Sequence, residues 1–160
     1  MDAVQRATEA GLTVRAVGAG HSFTDAACSG GVLLRMDRLD RVLDVDRDAA
    51  LVKVEAGIGL GALSEAIWGY GMALENLGDI DKQTISGAIS TATHGTGARF
   101  RNLSALVEAV ELVLPDGTLL EVSADSEPEL LPAVRVGLGA LGVIATVTLS
   151  TDPAFTIRRI

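Results

Sequence analysis

Asn76 to Gly97, NLGDIDKQTISGAISTATHGTG, is the segment around which the rest of the chain is organised. Its composition suits neither a helix nor a strand. Gly78, Gly87, Gly95 and Gly97 alternate with Thr84, Ser86, Ser90, Thr91, Thr93 and Thr96, and Lys82 is its one basic residue. Glycine lets the backbone approach a ligand closely. Hydroxyls beside glycines, with backbone N–H groups turned inward, make a polar cradle for phosphate or a polar heterocycle that needs no cationic side chain. The pattern points to a large anionic cofactor. A long surface loop has the same composition, but a loop of this length inside a compact domain is uncommon and is usually functional or disordered. The apolar positions Ile85, Ala88, Ile89 and Ala92 argue against disorder.

The remaining composition is consistent with one domain and an aliphatic core. At 160 residues a single domain buries roughly 70% of the surface of its unfolded chain. Apolar residues make up 48% but aromatic ones only 3%, so Val, Leu, Ile and Ala must fill that core. Thirteen Lys and Arg against 21 Asp and Glu give a net charge of −8, which repels nucleic-acid phosphates and anionic lipid headgroups. The single Cys28 excludes an intrachain disulfide and suits a reducing compartment. No apolar run approaches the roughly 18 residues of a membrane span, and the charged start MDAVQRATEAG is no signal peptide. The expectation is a soluble cytoplasmic protein.

Taken in order, Ala3, Val4, Ala7 and Ala10 fall at helical spacing over Asp2 to Ala10, with Gly11 as a left-handed cap. A β-rich run, Leu12 to Val17, then stops at a first glycine-rich turn, Gly18-Ala19-Gly20-His21-Ser22-Phe23. A dinucleotide fingerprint would put a third glycine where Phe23 stands and a periodic helix directly after it, whereas Asp25 to Gly31 reads as loop. Val32 to Met36 reads as a strand. Arg41–Asp46 and Leu51–Ala56 alternate apolar and polar residues around a turn at 47–50, the pattern of a hairpin with one wet face. Leu60, Leu63, Ile67 and Tyr70 line one side of a helix ended by Gly71, with Trp68 at the core margin.

Beyond the glycine–threonine segment, Val110, Leu112 and Leu114, the turn Pro115-Asp116-Gly117, and Leu120 and Val122 form a second hairpin. A short helix over Pro128 to Val136, the glycine-rich run 137–142 and a strand from Val143 to Leu149 complete the pattern. Glu108, Glu111 and Glu121 read as the solvated face of the strands, and the lack of a His or Cys cluster argues against a metal site. A domain opening on a short helix that feeds a buried strand looks as though an earlier strand is missing, so the chain reads as truncated.

With both glycine-rich stretches in view, the order of motifs resembles the PCMH-type FAD-binding domain of the vanillyl-alcohol-oxidase superfamily. More narrowly it is similar to the sugar-lactone oxidases, the gulonolactone and arabinonolactone oxidases, and to the alditol oxidases. The matching pieces are VRAVGAGHSFTD at 14–25, GVLLRMDRLDRVLDVD at 31–46, VKVEAGIGLGAL at 52–63, NLGDIDKQTISGAISTATHGTGARF at 76–100 and GALGVIATVTL at 139–149.

The resemblance implies an α+β fold of two α+β subdomains, 1–56 and 57–160, with FAD between them. It implies that Val17, Gly18, Ala19, Gly20, His21, Ser22 and Phe23 wrap the pyrophosphate, and that His21 is joined covalently to the 8α-methyl group of the flavin. In relatives without that bond the histidine caps the turn or stacks on the ring. Thr84, Gly87, Ala88, Thr91, Ala92, Thr93, His94 and Gly95 would line the pyrophosphate and flavin, and Gly142, Val143 and Ile144 the adenine side. His94 reads equally well as a structural residue.

Gly78 and Asp79 fall on the substrate side, Gly78 where a small residue leaves a path for oxygen. No cysteine lies between Asn76 and Gly97, which disfavours a second flavin attachment. In the family, catalytic and substrate-binding groups come mostly from a second domain, so no catalytic residue is expected in this chain. The implied activity is hydride transfer from a CH–OH carbon of a sugar lactone to flavin N5, with oxygen or another oxidant as electron acceptor. A polyol oxidase and a non-catalytic flavin-binding fragment remain as alternatives.

Overall fold

The computed structural model describes residues 1–158; the last two positions expected in the second subdomain, 159 and 160, lie outside them. Helix α1 (Asp2–Glu9) buries Val4 and Ala7, as its spacing requires. Strand β1 (Val14–Val17) pairs in parallel with β2 (Val32–Arg35). Their connection carries the first glycine-rich turn and a 3-10 turn, Asp25–Ala27, that the loop reading did not foresee. Parallel pairing needs such a crossover.

A five-stranded antiparallel sheet carries most of the core. Strands β3 (Val42–Asp46), β4 (Leu51–Glu55), β6 (Val107–Val113), β7 (Leu119–Ser123) and β8 (Val143–Ser150) run in the order β3-β4-β8-β6-β7. Both expected hairpins are present, β3–β4 and β6–β7. The division at residue 56 does not follow the strands. β4 pairs with β8 from Leu51↔Ser150 to Glu55↔Thr146, so residues 42–55 share a sheet with the second half of the chain. Period-2 patterning reveals that β3 and β4 are strands but not which edge receives them. A small antiparallel pair, β5 (Met72–Ala73) and β9 (Asp152–Pro153), stands apart from this sheet.

Helix α2 (Leu60–Trp68) buries Leu60, Leu63 and Ile67 completely in one cluster with Val52, Val54, Val147 and Leu149. The helix ends before Tyr70, which is exposed and off that stripe, and Trp68 is 52% exposed rather than packed at the core margin. The glycine–threonine segment holds a helix after all, α3 (Ile85–Ser90), with Ile85, Ala88 and Ile89 fully buried. Core packing of this i, i+3, i+4 stripe overrides the weak helix propensity of Ser, Thr and Gly. The last helix, α4 (Leu131–Arg135), is shorter than the 128–136 expected. Among the described residues no helix is long and apolar enough to cross a membrane.

Glu111 sits differently from the solvated position read for it, and a second carboxylate, Glu55, is buried. Glu111 receives the Thr146 hydroxyl at 2.5 Å and pairs with the Lys53 ammonium at 3.1 Å, forming a half-buried cluster across β4, β8 and β6. Glu55, at the end of β4, is only 5% exposed. It accepts from the Arg41 guanidinium at 2.8 and 3.2 Å and from the Arg41 backbone N–H at 2.9 Å. Arg41's donated hydrogen bond holds the Glu55 carboxyl below the ordinary glutamate range, against burial, which pushes it up.

Because the folded pKa lies below the unfolded value of about 4.3, the pair contributes stability above that value and loses it as pH falls through the folded one. Urea midpoints of the wild type and Glu55→Gln, measured across the acid range, should differ most at neutral pH and converge at low pH. A constant difference would show that Glu55 stabilises by packing rather than by charge.

Candidate functional site

Strand β1 and the turn after it face α3 and the run 137–144 across an open cleft of about 230 Å³. One wall is Val17, Gly18, Ala19, Gly20, His21 and Ser22, as the first glycine-rich turn implied, joined by Arg15, Ala16, Ala26, Ala27 and Met36. The opposite wall comes from α3 and its caps. One side of this helix is committed to the core by Ile85, Ala88 and Ile89, which leaves Thr84, Ser86, Gly87, Ser90 and Thr91 for the cleft. Leu138, Gly139, Gly142 and Ile144 close the third side.

Several expected site residues lie elsewhere. Ala88 is fully buried in the core, on the side of α3 turned away from the cleft. Phe23 is 94% exposed and does not line the cleft. Val143 enters β8 opposite Val113 and, unlike its neighbours Gly142 and Ile144, does not line the cleft.

Thr93 stands behind the wall. Its hydroxyl lies 3.3 Å from both Gln83 Nε2 and Thr91 Oγ1, so it tethers two residues that do line the cleft. His94 is exposed, with Nδ1 2.8 Å from the carbonyl of Gly95. Gly78 packs toward Thr93 and the His94 carbonyl, and Gly95 against Asn76 and Leu77. Together with Ala92 and Asp79, these residues make up a loop cluster beside the cleft, tied down by the Arg101–Glu75 ion pair at 2.6 Å.

The cleft residues missed from the sequence fall into two kinds. Ser86 and Ser90 carried a signal, being hydroxyls within the quoted segment. Arg15, Met36, Gln83 and Gly139 lie inside the quoted motif pieces and Leu138 in the glycine-rich run beside them, but each reads there as an ordinary strand or connection residue until the chain folds.

The cleft fits a polar ligand that brings its own negative charge. Its lining includes no Asp or Glu, although the chain's net charge is −8, and its ionisable groups are Arg15 and His21. The Thr84 hydroxyl is buried among the described residues with no hydrogen-bond partner. An unpaired buried hydroxyl is costly, and a bound polar group would supply its partner. Gly18 makes room for it: a Cβ there would lie 2.3 Å from Thr84 Oγ1. The hydroxyls, the bare glycine backbone and the absence of carboxylates all suit the dinucleotide of FAD.

Residues 1–123 match the family described as an FAD binding domain. The chain is 51% identical over 158 residues to the L-gulono-1,4-lactone dehydrogenase of Mycobacterium tuberculosis, covering 99% of this chain and 36% of that protein. It is 44% identical over 142 residues to the L-gulonolactone oxidase of Mus musculus, covering 89% of this chain and 32% of that one. Among solved structures it superposes on a carbohydrate oxidase from Microdochium nivale in complex with a substrate analogue, with a TM-score of 0.86 and 27% identity. That match covers 95% of this chain and 33% of the other. The chain thus spans about a third of the length of these relatives.

The Gly18–Thr84 contact yields a double-mutant test. Gly18→Ala should destabilise the protein by about 1–3 kcal/mol through overpacking. In the Gly18→Ala/Thr84→Ala pair most of that loss should be recovered, because the clash is with the threonine side chain. Additive losses in urea titrations would show that the two walls are not in contact there.

Proposed function

Since the chain belongs to the FAD binding domain family, we propose that it is the FAD-binding portion of an oxidoreductase that oxidises a CH–OH group of a sugar lactone. The observation that carries this is the cleft joining Gly18–Ser22 to Thr84–Thr91, with a buried, unpartnered hydroxyl and no carboxylate. The choice of a lactone over an open-chain polyol is supported by the relatives, which are named for lactones.

In this reading the turn 18–22 and the hydroxyls of Thr84, Ser86, Ser90 and Thr91 hold the dinucleotide between the two walls. Bound FAD supplies a ring that accepts hydride at N5. Gly142 and Ile144 lie on the adenine side, and the Gly78–Asp79 loop faces the substrate side. We assign no proton-abstracting residue within this chain. The electron acceptor is oxygen or another oxidant, and the reducing compartment that suits the lone, free Cys28 is the cytoplasm.

His21 is proposed as the covalent attachment point. It is half-buried in the cleft wall, on the turn that follows β1. Its ring nitrogen would take the place of one hydrogen on the flavin 8α carbon and lose its own. The two displaced hydrogens, with their electrons, pass to the enzyme's electron acceptor. His94 is a poorer candidate, because its Nδ1 is engaged by Gly95 outside the cleft lining.

Two measurements test these statements. Acid precipitation of the flavin-loaded protein should give a yellow pellet, and His21→Ala should release the colour to the supernatant; a colourless wild-type pellet refutes the covalent bond but not FAD binding. In the full-length enzyme, anaerobic addition of an aldono-1,4-lactone should bleach the visible flavin band, and an alditol should not. Bleaching by the alditol alone would overturn the substrate class.

A further inference from the structure

Among the described residues Arg15 is the one guanidinium in the cleft wall, and nothing in the proposed function uses it. It projects from β1, two residues before Val17 and three before the turn begins. Its Nη1 donates to the carbonyl of Leu138 at 3.1 Å, across the cleft. That carbonyl is presented by a turn in which Leu138 and Gly139 are both left-handed, at φ +49° and +72°.

Arg6, Arg35, Arg41 and Arg101 are each paired with a carboxylate. Among the described residues Arg15 is in no such pair, and the cleft lining around it contains no Asp or Glu. One carbonyl occupies one of the five N–H donors of a guanidinium, and the planar fork suits phosphate oxygens. A cation that crosses an anion-compatible cleft, anchored at its tip and lacking a counter-charge, is placed to meet a ligand's negative charge.

We propose that Arg15 is the cationic contact of this cleft for the diphosphate of its ligand, and so the residue that makes the site prefer FAD to riboflavin. This rests on the cofactor reading above. It also departs from the expectation that hydroxyls and backbone N–H groups hold the pyrophosphate without a cationic side chain.

The test uses the full chain with His21→Ala, so that binding is reversible, titrated with FAD and with riboflavin by flavin fluorescence at several salt concentrations. Adding Arg15→Gln should weaken FAD about tenfold or more, the size expected for loss of a charge-assisted hydrogen bond. Riboflavin binding should be unchanged. The salt dependence of FAD binding should flatten in Arg15→Gln and persist in Arg15→Lys, which keeps the charge but not the fork. Unchanged FAD affinity in Arg15→Gln overturns the assignment. So does equal weakening of FAD and riboflavin, the result expected if Arg15 only holds the Leu138 turn. A parent that binds neither flavin overturns the cofactor reading, and the assignment with it.

Discussion

The fold turns on a short piece of backbone, residues 55–61, threaded between two other segments and hydrogen-bonded to both. On one side Glu55 N–H donates to the Arg41 carbonyl and Gly57 N–H to that of Leu39. On the other, Leu60 and Gly61 donate to the carbonyls of Gln83 and Asp81, while Ile85 and Ser86 donate back to those of Ile58 and Ala56. The Ala56 N–H completes the set by reaching Ala145 on β8. The passage is possible because Gly57 has no side chain: a Cβ there would lie 1.8 Å from the Met36 carbonyl and 2.8 Å from that of Leu39. Buried backbone groups must be paired. This one segment therefore sets the exit of β2, the end of β4 and the start of α3 in a single arrangement.

The cleft inherits its shape from that arrangement. Met36, just past β2, and Thr84, just before α3, are both wall residues, and each flanks the threaded segment. The pair between buried Glu55 and exposed Arg41 locks the same crossing from the β3 side. With its supports fixed in this way, the wall can be built from residues that do not stabilise themselves well. It contains glycines, small hydroxyls and the unpartnered Thr84 oxygen. Such a site costs stability by itself, and a ligand that satisfies it returns some of that to the folded state.

Charge is distributed to the same end. The surface excess of Asp and Glu stops at the cleft, where Arg15 and His21 are the ionisable groups. Lys53 and Arg101, outside the cleft, are engaged by Glu111 and Glu75. An acidic chain can thus present a locally cationic groove without a basic patch that composition would reveal. Net charge reports on the whole surface, whereas binding depends on the few groups within a screening length.

Periodicity and turn chemistry are local, and what depends on them was legible in the chain alone. The α1 helix with its glycine cap, the two hairpins, the Leu60–Leu63–Ile67 stripe and the GAGHS turn all follow from residues near one another in sequence. So does the glycine and hydroxyl content of 76–97, which needs no partner to be seen. Tertiary structure decided what depends on distant pairing. It placed β4 against β8, which joined β3 and β4 to strands from the second half of the chain, and its core drew Ile85, Ala88 and Ile89 into a helix. That helix turned Ala88 away from the cleft and Thr84 toward it. It also brought Arg15 within 3.1 Å of Leu138, far along the chain. A residue's neighbours in the sequence limit its conformation, but which side of it meets solvent, core or ligand is settled only when the segments that enclose it have packed.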